Sequence, residues 1–196
     1  MKTPWTQLAG TDLWEQARSR HDADSWRSYH AFDHPVYLYT KAEALGYRYC
    51  ASLDAAILTH DVIVSGQTPE QASWEWLKAH QAQPDMVSKR LIMSTVDHLP
   101  GADNRLIILD LSGFLHDDVR RANTEALRVE KERQSGWDRE TFDLKTLGYL
   151  TGLEGRIAQG LDLPVVSPDD GEVLGEIRSG ILKTIDELGR CPVPGI

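Results

Sequence analysis

The sequence predicts an all-α protein folded as a compact helical bundle, and three observations support that fold class. Apolar residues recur at intervals of three or four positions along most of the chain, which is the period of an amphipathic helix. No segment combines alternating β-branched residues with the Asn-Gly or Asp-Gly turn that a β-hairpin would need. The contents of 41% hydrophobic and 26% charged residues are ordinary for a folded domain and exclude a disordered chain.

Helix signals divide the N-terminal part of the chain. A first helix is expected over Trp5–Ser19, although Gly10 weakens its start, and His21–Tyr29 is expected to form a loop. Pro35 suits the first turn of the next helix, because its missing N–H does no harm there, and Gly46 ends that helix.

Three further helices are expected between Tyr47 and Pro100. The first of them covers about Tyr47–Val64. Thr68 opens a Thr-Pro-Glu-Gln sequence that predicts a capping box and a helix to about Ala82. Another helix begins near Pro84 and is broken by Pro100.

The C-terminal half continues the helical pattern. After Arg105, the segment to Leu115 is apolar apart from Asp110 and Ser112, and the sequence of Asp118–Gln134 predicts a charged helix. Two more helices fit Arg139–Gly152 and Pro168–Leu188, and Gly189 ends the last of them.

Length, charge and cysteine content restrict the function. A chain of 196 residues suits one domain over 1–196, with a core of about 26–130 and C-terminal helices over about 139–190. The net charge of −9 disfavours binding to polymeric nucleic acid. Without a membrane span, a signal peptide or more than two cysteines, we expect a cytoplasmic protein with no membrane partner. A homo-oligomer is compatible with the sequence.

Four acidic or imidazole side chains occur where the helical pattern calls for apolar residues or helix caps: His34, His60, Asp61 and Asp110. An ionised aspartate in a core is costly unless its charge is compensated. A divalent metal compensates two carboxylates, and this set of ligands favours Mn, Fe, Co, Ni or Zn over calcium. Adjacent helix positions diverge by about 100°, so His60 and Asp61 must reach a site at the edge of their helix.

The order His, His-Asp, Asp in a helical chain resembles the HD superfamily of metal-dependent phosphohydrolases. Arg27–His34 resembles the R-x-Y-H-x-x-x-H opening of one bacterial group of predicted HD phosphohydrolases. Further segments are similar to later motifs of that group: Thr59–Ile63 to H-D-x-x-Y, Pro69–Ser73 to N-E-x-x-S, Thr95–His98 to T-x-x-H, Asp110–Ser112 to D-L-S, and Leu127–Glu130 to I-R-x-E. The resemblance covers about Trp26–Glu130, in the correct order.

The resemblance implies a compact HD-domain bundle with a C-terminal helical extension and one divalent ion, which could be Mn, Co, Mg, Fe, Ni or Zn. Its implied ligands are His34, His60, Asp61 and Asp110. The implied substrate is a small, anionic, phosphate-bearing molecule, above all a nucleotide, from which a phosphate ester or anhydride is cleaved.

The resemblance also implies roles for residues around the metal. Asp61 would orient the attacking water as well as bind the ion, and Glu70 is a candidate general acid or base. Arg27 and Arg128 are candidates for phosphate binding through paired N–H donors. His30 and His98 are candidates for binding substrate phosphate or a second metal.

Two other functions stay open at this point. Some HD relatives hold two irons, use oxygen and need additional histidines between the His-Asp pair and the last aspartate. His80 and His98 lie in that interval, and only His98 sits on an apolar face. The third hypothesis is a non-catalytic HD module that binds a nucleotide or a partner protein.

Overall fold

The computed structural model describes Trp5 and residues 7–81, 83 and 85–190. Over these residues the chain is helical and has no strand, so the predicted all-α class is confirmed. The helices of the described residues are α1 Asp12–Asp22, α2 Asp33–Ala44, α3 Ala51–Thr59, α4 Pro69–His80, α5 Met86–Ser94, α6 Arg105–Leu111, α7 Asp117–Ser135, α8 Arg139–Leu161 and α9 Pro168–Gly189. A short 3-10 segment, Ser112–Leu115, continues α6.

The start of α1 differs from the prediction. The helix begins at Asp12 rather than at Trp5, because Gly10 adopts a left-handed conformation with φ of 79°. The hydroxyl oxygen of Thr11 then accepts a hydrogen bond from the N–H of Trp14 at 3.4 Å and caps the helix. At its other end α1 includes the beginning of the segment that was expected to be a loop.

Helix α3 is shorter at both ends than the predicted helix Tyr47–Val64. Gly46, with φ of 69°, ends α2 as predicted, and Cys50 is extended immediately before α3 begins. The helix ends at Thr59, and His60 is its C-cap residue. The expectation that the His-Asp pair lies inside a longer helix is therefore wrong, because the pair sits where the chain leaves α3.

Helices α4 and α5 lie close to their predicted positions but start differently. Pro69 occupies the first turn of α4, whereas the side chain of Thr68 makes no capping hydrogen bond, so the expected capping box is not formed. A carboxylate oxygen of Asp85 caps α5 by accepting a backbone N–H at 2.8 Å. The predicted boundaries at Ala82 and Pro84 lie outside the described residues.

Helix α8 is longer than the predicted Arg139–Gly152 and continues to Leu161. Glycine at position 152 lowers the intrinsic preference for a helix. Leu153 and Ile157, however, are fully buried in a hydrophobic cluster with residues of α9. Burial of these side chains outweighs the local preference and carries the helix past the glycine.

The short helix α6 connects two hydrophobic clusters. Leu106 and Leu109 pack in a cluster built mainly from α1–α5, and Ile107 and Ile108 pack in a second cluster with α8 and α9. Each of these four side chains is at most 1% exposed, and full burial of one such side chain stabilises the fold by about 1.5–3 kcal/mol. Both faces of α6 are thereby fixed, which holds Asp110 firmly between the N-terminal helices and the α7–α8 pair.

None of the helices in the described ranges combines the length and the apolar character that crossing a bilayer requires.

Candidate metal centre

Four side chains from separate parts of the chain converge at one point. The first turn of α2 carries His34, the end of α3 is followed by His60 and Asp61, and α6 carries Asp110. Each residue offers one nitrogen or carboxylate oxygen, and these four atoms lie within 4.8 Å of one another. The group could hold a metal ion, and we call it the His/Asp cluster.

The imidazole of His60 is oriented for metal binding. Its Nδ1 lies 3.1 Å from the carbonyl oxygen of Ile57, so Nδ1 carries a hydrogen and Nε2 is the ring nitrogen that faces the cluster. This Nε2 is buried without a hydrogen-bond partner, at 3.2 Å from Asp61 Oδ2 and 3.6 Å from Asp110 Oδ1. Burial lowers the pKa of His60, but the carboxylates of Asp61 and Asp110 outweigh burial and raise this pKa well above its usual value. Without an ion, Nε2 therefore holds a proton between the two carboxylates, and a divalent cation can take the place of that proton.

The two carboxylates of the cluster also face His34. Its Nε2 lies 3.2 Å from Asp110 Oδ1 and 3.6 Å from Asp61 Oδ2. Burial raises the pKa of both carboxyls, but the neighbouring histidines outweigh burial and hold each pKa below its usual range. Both groups are therefore ionised at neutral pH, and two imidazoles with two carboxylates suit a divalent transition metal.

His98 contacts the cluster through Asp110. Its Nε2 lies 2.7 Å from Asp110 Oδ2, the carboxylate oxygen that does not face His34. The residue is 7% exposed and has a left-handed φ of 49°, a conformation that is uncommon outside glycine. His98 therefore orients an implied metal ligand, and it also lines the cavity next to the cluster.

His30 lies beside the cluster and forms a hydrogen bond with Glu130. The Nε2 of His30 is 3.8 Å from Asp61 Oδ2, while its Nδ1 donates to Glu130 Oε1 at 2.5 Å. The other oxygen of Glu130 accepts the backbone N–H groups of Ser28, Tyr29 and His30 at 2.9–3.1 Å. Burial raises the pKa of Glu130, but these hydrogen bonds outweigh it and lower the pKa to about 2. A charged, buried carboxylate thus fixes both the loop and the imidazole.

Arg27 lies away from the cavity, against the backbone of the His-Asp turn. Its guanidinium donates to the carbonyl oxygens of Asp61 and Val62 at 2.8 and 2.9 Å and to the carboxylate of Asp24 at 3.0 Å. Its side chain is 1% exposed. The position differs from the one expected for a phosphate-binding arginine, since the donors of Arg27 are used to hold the chain that carries Asp61.

Arg128 also lies away from the cluster. It forms ion pairs with Glu125 at 2.6 Å and Glu132 at 3.1 Å along the surface of α7, and it does not line the cavity. The structure therefore does not bring Arg128 together with the His/Asp cluster, although it does so for His30 and His98.

A cavity of about 430 Å³ opens next to the cluster. Asp61 and Asp110 line it, together with Glu70 from the first turn of α4. Faces of α7 and α8 form other parts of its wall. Its volume lies in the lower part of the range of about 300–1,000 Å³ that is typical of sites for small ligands.

Sequence reasoning missed several residues of this site. Lys131, Trp137, Lys145 and Tyr149 line the cavity but belong to no motif that points to a metal. Glu130 was also not predicted as a positioning residue, because a glutamate on a charged helix is typical of a solvent-exposed surface. A usable signal was present in α8, where cavity-lining residues recur at the helical spacing of 142, 146, 149 and 153.

No protein-family model, curated protein or solved structure matches this chain. The helical fold and the His/Asp cluster are compatible with an HD-like fold. Membership in the HD superfamily is therefore a proposal that rests on the motifs and on the geometry of the cluster.

Proposed function

We propose that this chain is an HD-type, metal-dependent phosphohydrolase that acts on a small organic phosphate, in the first place a nucleotide. The observation that carries the proposal is the convergence of four ligand atoms within 4.8 Å of one another beside a cavity of small-molecule size. Six ordered motifs that resemble those of HD phosphohydrolases support the same reaction.

The proposed ligands of one divalent ion are the members of the His/Asp cluster: His34, His60, Asp61 and Asp110. When bound, such an ion lowers the pKa of a coordinated water and offsets charge on phosphoryl oxygens. The ligand set accepts Mn, Fe, Co, Ni or Zn, and Mg belongs to the range that the HD resemblance implies.

The protein residues around the ion would divide the remaining work. Asp61 would bind the ion and orient the attacking water. Its position depends on Arg27, which donates a hydrogen bond to the backbone carbonyl oxygen of Asp61. Glu70 lines the cavity and is our candidate to give a proton to the leaving oxygen. His30 presents its Nε2 next to Asp61 and is our candidate to bind a phosphate oxygen.

The charge and the size of the site favour a small substrate over a polymer. The chain carries a net charge of −9, and binding to polymeric nucleic acid depends on many cationic contacts with phosphates. A cavity of about 430 Å³ has room for one small organic molecule. A nucleotide meets both conditions.

A phosphate-release assay tests this function. Wild-type protein is incubated with nucleoside mono-, di- and triphosphates in parallel series with Mg, Mn, Co and Zn, and released phosphate is measured. We expect metal-dependent release that is lost in His60→Ala. A matched control is His80→Ala, because His80 is exposed and stacks on Trp76 with ring centroids 4.0 Å apart.

The same preparations separate the alternatives. Phosphate release under argon contradicts a di-iron oxygenase, whereas bound iron with an oxygen-dependent activity supports it. Protein that retains no metal and releases no phosphate from any nucleotide contradicts the hydrolase and supports a non-catalytic module.

A further inference from the structure

Two helix faces meet across the cavity and bring lysines to its wall. Lys131 lies on the face of α7 that also carries Leu127, four positions earlier, and Lys145 lies on the face of α8 that also carries Tyr149, four positions later. Residues four apart share one face of a helix. The two lysines therefore belong to the walls of the same cavity and are not isolated surface charges.

These lysines differ from the third cation of the cavity wall, Arg120. The guanidinium of Arg120 is neutralised by Glu187 through contacts of 2.7 and 2.8 Å. The described residues place no carboxylate within ion-pair distance of Lys131 or Lys145. The Nζ of Lys131 contacts the neutral Gln134 at 3.1 Å, and that of Lys145 lies 4.3 Å from the ring centroid of Trp137.

Lys41 and Lys89 also form no ion pair among the described residues and lie over aromatic rings, so the position of Lys131 and Lys145 in the cavity wall is what distinguishes them. Acidic side chains outnumber basic ones by 30 to 21, and Lys131 and Lys145 bring two of the basic ones to the wall of one cavity. Lys131 also directly follows Glu130, which holds His30 beside Asp61. Lys131, His30 and Asp61 line the same cavity.

The charges of the cluster indicate a function for these two lysines. Two carboxylates of the cluster already offset the charge of one divalent ion. A phosphate group that enters this space needs additional cations, which form strong, charge-assisted hydrogen bonds with its oxygens.

The rest of the cavity wall suits a ligand that has a ring with neutral polar groups. Leu127 and Leu150 offer apolar surface, while Asn123, Thr124 and Thr146 offer amide and hydroxyl groups. Such a lining is typical of sites that bind a mostly apolar ligand and orient it with a few hydrogen bonds.

We infer that Lys131 and Lys145 form the anion-binding half of this site and hold phosphate oxygens of a nucleotide whose base lies between α7 and α8. The inference rests on the proposed function, because it names the substrate class and its contacts at the same cavity. It assigns phosphate recognition to these two lysines in place of Arg27 and Arg128.

Calorimetric titration of the Mn²⁺-loaded protein tests the inference by binding rather than by turnover. The probes are adenosine and hydrolysis-resistant analogues of AMP, ADP and ATP, because the loaded protein is expected to cleave the nucleotides themselves. The variants are Lys131→Gln, Lys145→Gln and the double substitution. Lys183→Gln is the matched control, since Lys183 is exposed and pairs with Asp117 away from the cavity. Circular dichroism and Mn²⁺ titration of each variant check that the fold and the metal group are retained.

We expect each cavity lysine to contribute about tenfold to the affinity for a phosphate-bearing probe, with Lys183→Gln unchanged and adenosine insensitive to all variants. A loss that includes AMP indicates contact with the first phosphate, and a loss confined to ADP and ATP indicates contact with the later ones.

Wild-type affinity in both lysine variants overturns the inference and leaves the proposed hydrolase intact. Absence of nucleotide binding to the Mn²⁺-loaded wild type also overturns it. The phosphate-release assay then decides separately whether the proposed function survives.

Discussion

The imidazole of His30 and the carboxylate of Glu130 form a hydrogen bond of 2.5 Å between residues 100 positions apart. Through this contact α7 fixes a loop that lies beside the His/Asp cluster. Because Glu130 is fully buried and also accepts three backbone N–H groups, its loss leaves several polar groups without partners.

We therefore expect Glu130→Ala to lower the free energy of unfolding by about 3–5 kcal/mol, measured by urea denaturation. Glu132→Ala is the control on the same helix, since Glu132 is exposed, and we expect it to change stability by no more than about 0.5 kcal/mol. Equal effects of the two substitutions would contradict the positioning role of Glu130.

Arg27 offers a test between positioning and phosphate binding. Lysine cannot reproduce the fork of hydrogen bonds that the guanidinium forms with Asp61, Val62 and Asp24. We expect Arg27→Lys to destabilise the protein and to weaken Mn²⁺ binding by about 10- to 100-fold, measured by denaturation and calorimetry.

The control for that prediction is Arg18→Lys, because the Arg18 side chain is 57% exposed. An Arg27→Lys protein with wild-type stability and metal affinity, but with a raised KM for substrate, would assign Arg27 to phosphate binding instead.

His98 is expected to act on the metal through Asp110. Removal of its imidazole in His98→Ala frees Asp110 Oδ2, which His98 holds at 2.7 Å. Since partners of metal ligands contribute about 10- to 100-fold to metal affinity, we expect a loss of Mn²⁺ affinity in that range. An unchanged affinity for Mn²⁺, with only nucleotide binding weakened, would restrict His98 to the substrate.

Asp54 predicts a pH dependence of stability outside the cluster. It is 0% exposed on α3, and neither of its carboxylate oxygens has a hydrogen-bond partner. Burial raises its pKa to about 6, above the value of about 3.9 in an unfolded chain. Ionisation therefore favours the unfolded state, and stability is lost as the pH rises from about 3.9 to about 6 and stays constant above that.

Urea denaturation of wild type and Asp54→Asn between about pH 4 and pH 7, with a chelator present, checks this prediction. The stability of the variant relative to wild type should increase from about pH 4 to pH 6 and then level off. A difference between the two proteins that does not change with pH would show that Asp54 is not the titrating group.

The cluster could be predicted from the sequence because its members break the apolar pattern of helices. His60 and Asp61 follow a buried segment, and Asp110 interrupts an apolar one. A charged side chain at such a position needs a compensating charge, which a shared cation provides. The pattern could not show that α3 ends at Thr59, since the chain is apolar again from Val62 to Val64, directly after the His-Asp pair.

Long-range polar contacts account for what the sequence did not predict. Glu130 accepts hydrogen bonds from residues 100 to 102 positions away, and Arg27 donates to carbonyl oxygens 34 and 35 positions away. No local spacing indicates such partners. Arg128 matched a motif of the HD resemblance, but its own helix supplies two glutamates four or fewer positions away, and these pair with it on the surface.

The central claim is that two imidazoles and two carboxylates bind one divalent ion, and calorimetric titration with Mn²⁺ tests it most directly. We expect one ion per chain for wild type and for His80→Ala, and loss of binding in His60→Ala and Asp110→Ala variants that remain folded. A wild-type protein that binds no Mn²⁺, Co²⁺ or Zn²⁺, or variants that bind each ion as wild type does, would contradict the account.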